Sequence, residues 1–318
     1  MSPYWGATFF SFLPLFFQRM FLLLTGRLAL SDLASDEIQV LTLGLISIGA
    51  ALIGTVLVLR KMTMLANALS HTILIGIVVA YLLMGGLFGV GIHFRTLFFA
   101  ALLCGILTSL LTQLFNHLLK LQEDASIGLV FTSLFALGIV LATLFTRNAH
   151  IGLEVVMGNV DGLHFDDLKI ALFVAGSNLC LILLFYKEWK LLCFDQGLAA
   201  SFGVRPSLFG YLLMLLASMS AISAFRAVGV LLFLAFLVGL PLIGRLLCNS
   251  MGKMLAWAAT FGFVISLLSV ALSRHFLTAY QMPLSTAGLA TCLIGVAFLV
   301  IASLRGLTFT KNSQILKG

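Results

Sequence analysis

Asn67, Ser70 and His71 are the residues of this chain whose types and spacing best suit a small metal site, and they sit in the apolar stretch RKMTMLANALSHTILIGIVVAY. A helix through that stretch puts Asn67 and His71 four residues apart on one face, with Ser70 beside them. A histidine inside an apolar helix costs free energy unless it finds a partner or faces water, so it is a functional candidate by default. Imidazole with amide and hydroxyl oxygens suits first-row transition ions, and a translocation path wants few ligands so that release stays fast. The same pattern also fits a histidine bonded to a neighbouring helix.

Two further groups lie outside the apolar runs. Asp161, His164, Asp166 and Asp167 gather three acids around one imidazole. That composition attracts a divalent cation or makes salt bridges to a docking protein, and it equally describes a solvated loop. The second group is the stretch YKEWKLLCFDQGLAASFGVRP, which contains Phe194, Asp195, Gln196, Gly197, Leu198, Ala199, Ala200, Ser201, Phe202 and Gly203. Asp195 is placed to cap a short helix through Ser201 or Phe202, Gly203 suits a C-terminal stop, and Pro206 blocks continuation. A short amphipathic helix on a membrane surface serves either as a docking element or as a connector. Glu123 and Asp124 open another apolar run, where carboxylates favour a helix N-terminus.

Several chemistries find no support. There is no G-x-x-x-x-G-K-[ST] phosphate loop, since Gly252 and Lys253 are followed by Met254 and lack the upstream glycine. H-E-x-x-H and G-x-S-x-G are absent as well, so no catalytic motif speaks for an enzyme. His93, His117, His150 and His275 show no metal-ligand spacing among themselves. The five cysteines, Cys104, Cys180, Cys193, Cys248 and Cys292, form no C-x-x-C pair and read as packing residues.

The elements that must carry these residues are strongly apolar. Of 318 residues, 61% are hydrophobic and 9% charged, against roughly 25% charged in an ordinary soluble domain. Mean hydropathy is +1.17. The fold class expected is therefore all-α, a polytopic helical membrane protein with about eight to ten transmembrane helices. Apolar runs lie near residues 40–59, 64–84, 95–115, 127–146, 168–186, 207–224, 227–247, 255–273 and 286–304. A re-entrant turn near Arg226 or around 150–165 changes that count by one. Residues 8–24 are apolar but interrupted by Pro14, Gln18 and Arg19, which suits an interfacial or partly inserted helix better than a signal peptide.

The net charge of +7 reports topology rather than nucleic-acid binding. If the runs alternate, Arg60, Lys61, Lys120, Lys187, Arg205, Arg245 and Lys253 fall on one side, which should be cytoplasmic and should hold the C-terminus. The acids Asp32, Asp36, Glu37, Glu154, Asp161, Asp166 and Asp167 fall on the other.

The segments LRKMTMLANALSHTILIGIVVAYLL, EDASIGLVFTSLFALGIVLATL, FDQGLAASFGVRPSLFGYLL and AFRAVGVLLFLAFLVGLPLIGRLL, in that order, resemble the membrane subunits of the zinc/manganese/iron ABC importer family. The resemblance covers residues 38–305, leaving an N-terminal segment 1–37 and a cytoplasmic tail 306–318 outside the permease domain. It implies a bacterial inner-membrane subunit without an intrinsic cofactor, whose cargo is a divalent ion, Mn²⁺, Zn²⁺ or Fe²⁺. Implied partners are a cytoplasmic ABC ATPase, a second permease copy or paralogue, an extracytoplasmic metal-binding protein and the lipid bilayer. It also implies that residues 194–203 form the coupling helix received by the ATPase. In that family the second-crossing motif usually reads Asp-Ala-Leu-Ser-His. Here Ser70 and His71 match, but Asn67 replaces the aspartate and removes a negative charge. The competing readings are an ion-coupled secondary transporter, which usually shows buried carboxylates near the bilayer midplane, a membrane enzyme, and an ABC permease for a metal chelate.

Overall fold

The structure, a computed structural model, describes residues 3–29, 32–64, 68, 75–76, 78–79, 94–120, 122–145 and 158–315. The helices are α1 (Phe9–Leu24), α2 (Ser35–Leu59), α3 (Phe94–Leu119), α4 (Glu123–Phe145), α5 (Phe165–Leu184), α6 (Tyr186–Phe194), α7 (Gln196–Ser201), α8 (Pro206–Leu234), α9 (Leu240–Leu247), α10 (Met251–Tyr280) and α11 (Thr286–Ile315). A 3₁₀ turn, Val160–Gly162, precedes α5, and a π-helical turn, Ala235–Gly239, joins α8 to α9. No strand occurs among the described residues.

Among the described residues, six segments are long and apolar enough to cross a membrane: Ser35–Leu59, Phe165–Leu184, Pro206–Phe225, Ala227–Leu247, Met251–Tyr280 and Thr286–Arg305. They coincide with six of the apolar runs in the sequence. The runs at 95–115 and 127–146 form α3 and α4, whose apolar stretches Leu103–Asn116 and Ala125–Leu141 are shorter. Most of the run 64–84 lies outside the described residues, as do Asn67, Ser70 and His71.

At the centre stands α2, which packs most extensively on α10 and then on α5, α8 and α9. It is apolar on every face and almost wholly buried, as expected of a helix surrounded by other helices. Within lipid the hydrophobic effect does not draw helices together, so close approach and internal hydrogen bonds must. Gly54 supplies the approach: a Cβ there would lie 1.8 Å from the Leu237 carbonyl oxygen. The buried hydroxyls of Ser47, Thr55 and Ser266 donate to carbonyls one helical turn back, those of Gly44, Ala51 and Gly262, at 2.7–2.8 Å. They therefore enter the apolar interior already satisfied.

Between Phe225 and Val230 the chain reverses. Gly229 has φ +77° inside an otherwise helical run. Its backbone meets that of Gly158, also at positive φ, where a Cβ would sit 2.2 Å from the Gly229 nitrogen. Before the break, Phe209 packs edge-on against Trp189 at 5.1 Å. After it, Arg245 and Cys248 share a cavity with Cys193 and Phe194, so both arms reach the same end of the bundle. The turn near Arg226 therefore separates two antiparallel segments.

Candidate functional site

The charged and polar candidates among the described residues gather at the two ends of the bundle. One end is basic, with Arg60 and Lys61 closing α2, Arg205 before α8, Arg245 in the last turn of α9 and Lys253 in the first of α10. Here α6 is anchored by Trp189, fully buried and set edge-on against Phe209, which also meets Phe185 at 5.6 Å. The chain then turns into α7. Asp195 caps it, its Oδ1 accepting from the backbone N–H of Gly197 at 2.7 Å and of Leu198 at 3.2 Å. Gly203, at φ +82°, ends it, and the N–H groups of Gly203 and Val204 donate to the carbonyls of Ala200 and Ala199. Pro206 occupies the first turn of α8, where its missing N–H is no loss.

What this fixed turn presents is apolar. Ala199 points inward and is fully buried, whereas Phe194, Leu198 and Phe202 are 79%, 47% and 70% exposed. The three follow one another at four-residue spacing across the end of α6, α7 and its C-cap. They lie at the end of the bundle where charged side chains collect, outside the apolar stretches. An exposed apolar ridge in such a place marks an interaction surface.

The opposite end is held by ion pairs. Asp36 and Glu37 open α2, where the helix dipole favours anions, and both are buried. Asp36 accepts from Arg274 of α10 at 2.7 Å. Glu37 accepts from Arg19 of α1, from the Tyr4 hydroxyl at 2.8 Å and from the Ala34 N–H at 2.8 Å. Burial, and then the bond to Glu37, push the Tyr4 hydroxyl well above its usual range, so it remains a donor. The Arg19 guanidinium is likewise shifted up by its bond to Glu37.

The four candidates do not converge on one point: Asp161 lies in the 3₁₀ turn, His164 caps α5, and Asp166 and Asp167 belong to its first turn. Asp161 accepts from Thr286 Oγ1 at 2.7 Å and Gln39 Nε2 at 3.5 Å, tying the loop to α11 and α2. Asp167 is buried and accepts from the His164 N–H at 3.0 Å, closing the first turn of α5. Asp166 pairs with Lys169 at 2.9 Å, and both side chains are exposed, as is His164. A cavity of about 280 Å³ lies alongside, lined by Asp36, Gln39, Asp161, Ser273 and Arg274 among others. Among the described residues, no three His, Cys, Asp or Glu side chains come together as a metal site.

Sequence reasoning did not find the partners of Asp36 and Glu37, the apolar ridge, or the buried pair in which Asn178 Nδ2 donates to Ser220 Oγ at 2.7 Å between α5 and α8. Two acids opening an apolar helix were a signal for the first. Asn178 and Ser220 looked like isolated polar residues within apolar runs.

A family model described as the ABC 3 transport family matches residues 38–305. The chain is 40% identical to a probable metal transport system membrane protein of Chlamydia muridarum, over 94% of this chain and 93% of the relative. It is 30% identical to the manganese transport system membrane protein MntC of Listeria monocytogenes, over 93% of this chain and all of the relative. A third relative is a probable iron transport system membrane protein of Haemophilus influenzae, 32% identical over 82% and 90%. In fold it matches a chain of PsaBC from Streptococcus pneumoniae in complex with Fab, with a TM-score of 0.70 and 24% identity, covering 86% of this chain and 92% of that one. A putative metal-chelate type ABC transporter in an inward-facing conformation matches with a TM-score of 0.62 at 18% identity, covering 83% and 84%.

Proposed function

This chain belongs to the ABC 3 transport family, and on that premise we propose that it is the membrane-spanning permease subunit of an ABC importer that carries a divalent metal ion, Mn²⁺, Zn²⁺ or Fe²⁺, into the cytoplasm. A separate ATPase supplies the energy, since the chain has no phosphate-binding loop of its own. The observation that carries the coupling role is the apolar ridge Phe194–Leu198–Phe202, held rigid by the Asp195 cap and the buried Trp189. A groove on the ATPase receives residues 194–203, and ATP-driven closure of the ATPase pair tilts the helices above between outward-open and inward-open states.

The basic end faces the cytoplasm by the positive-inside rule, which places the C-terminus there too. The other end, with Asp161, His164, Asp166 and Asp167, faces an extracytoplasmic metal-binding protein. Asp166 and His164, both exposed, are the residues of that group best placed to meet it. A second permease copy or a paralogue completes the pore. His71 and Ser70 contact the ion in transit, and Asn67 stands where the family resemblance leads one to expect an aspartate, which would hold a divalent ion far more strongly.

Purification of the tagged chain from its native membrane in mild detergent, followed by mass spectrometry, tests this reading. An ABC ATPase should be recovered with the unaltered chain and lost with Phe202→Asp or Leu198→Asp, while the chain itself keeps its elution volume. Retention of the ATPase by both variants would remove the ridge from the interface.

A further inference from the structure

At the basic end, α2, α6, α9 and α10 enclose a cavity of about 300 Å³. Its lining includes Cys193, Cys248, Met251 and Met254, with Arg245 and the ridge residue Phe194. Both cysteines are free thiols, and both methionines are buried. Two thiols and two thioethers from the end of α6 and from the α9–α10 turn thus border one small space. Thiolate and thioether sulfur are soft donors, and the combination of thiolates with thioethers suits a soft ion such as Cu⁺.

Two thiolates around a monovalent ion carry one net negative charge, which the Arg245 guanidinium in the same lining offsets.

We propose that Cys193 and Cys248, supported by Met251 and Met254, form a regulatory site for a soft monovalent cation of the Cu⁺ class. Binding replaces two S–H bonds with two sulfur–metal bonds and releases two protons. It ties the end of α6 to the α9–α10 turn, and because α7 begins three residues after Cys193 it holds the coupling turn in one position. That consequence for transport rests on the function proposed above, whereas the site itself does not.

The test uses the full chain in detergent with Ag⁺ as a redox-stable probe, dialysed at low buffered free silver and counted by elemental mass spectrometry. The Cys193→Ala/Cys248→Ala variant should bind one silver ion fewer than the unaltered chain, and each single variant should lose that same ion. Met251→Leu/Met254→Leu conserves volume and keeps both thiols, so it remains informative where an alanine variant fails to fold. It should weaken silver binding by about tenfold or more. Separate loss of one ion per thiol, an unchanged count in the double variant, or unchanged affinity in the leucine variant would overturn the site. The count needs neither ATPase nor transport, so its failure leaves the proposed function standing.

Discussion

Glu37 gathers three elements of structure on one side chain. Its carboxylate holds the Tyr4 hydroxyl, the Arg19 guanidinium and the Ala34 backbone at once, and it is fully buried. Removing one partner of a buried ion pair strands the other, which costs about 3 kcal/mol or more. Glu37→Ala should therefore lower the thermal midpoint of the detergent-solubilised chain markedly and free the N-terminal segment to proteases, whereas Glu37→Gln, which can still accept from Tyr4, should cost less. Gly54 is constrained by space instead of charge. Any side chain there meets the Leu237 carbonyl, so Gly54→Ala should destabilise the contact between α2 and the π-helical turn by about 1–3 kcal/mol, measured by the same unfolding assay. Asn67→Asp introduces a carboxylate on the proposed ion path and should raise apparent affinity for a divalent metal ion in uptake assays. Unchanged uptake of every metal tested would take Asn67 out of the pathway.

At the scale of elements, the turn at 194–203, proposed above to couple to the ATPase, is a local device whose stability and exposed surface can be altered separately. Asp195→Ala removes two hydrogen bonds to the first turn of α7 and should cost about 1 kcal/mol of local stability. The loss should appear as faster amide exchange across 196–201 and a weaker hold on the ATPase, with the rest of the bundle unchanged. Because the cap, the glycine stop and the following proline all act within a dozen residues, this turn was legible from sequence. The ridge was not, since Phe194, Leu198 and Phe202 belong to successive elements and only their exposure in the fold joins them. The outer loop was opaque for the opposite reason. Asp161 finds its partners Gln39 and Thr286 at separations of 122 and 125 residues, so an acid that looked available for a cation is committed to bracing the bundle. The reversal at Gly229 was half visible. The sequence already separates two apolar runs at 225–226, beside Arg226, but the positive φ of Gly229 makes sense only once Gly158 is seen against it.

For the whole molecule, composition was enough to give the class, because a bilayer leaves helices few alternatives. The topology predicts opposite faces for the two ends. In a cysteine-free background, Lys253→Cys should be labelled only by reagent admitted to the cytoplasmic side and Asp166→Cys only by reagent outside. The assembly that this topology serves is tested most directly by transport itself. The chain, reconstituted in vesicles with its co-purified ATPase and binding protein and offered Mn²⁺, Zn²⁺ and Fe²⁺ in turn, should accumulate at least one ion only when ATP is supplied to the ATPase side, and Phe202→Asp should abolish that uptake. Uptake by the chain alone, driven by a proton or sodium gradient and indifferent to ATP, would contradict the account.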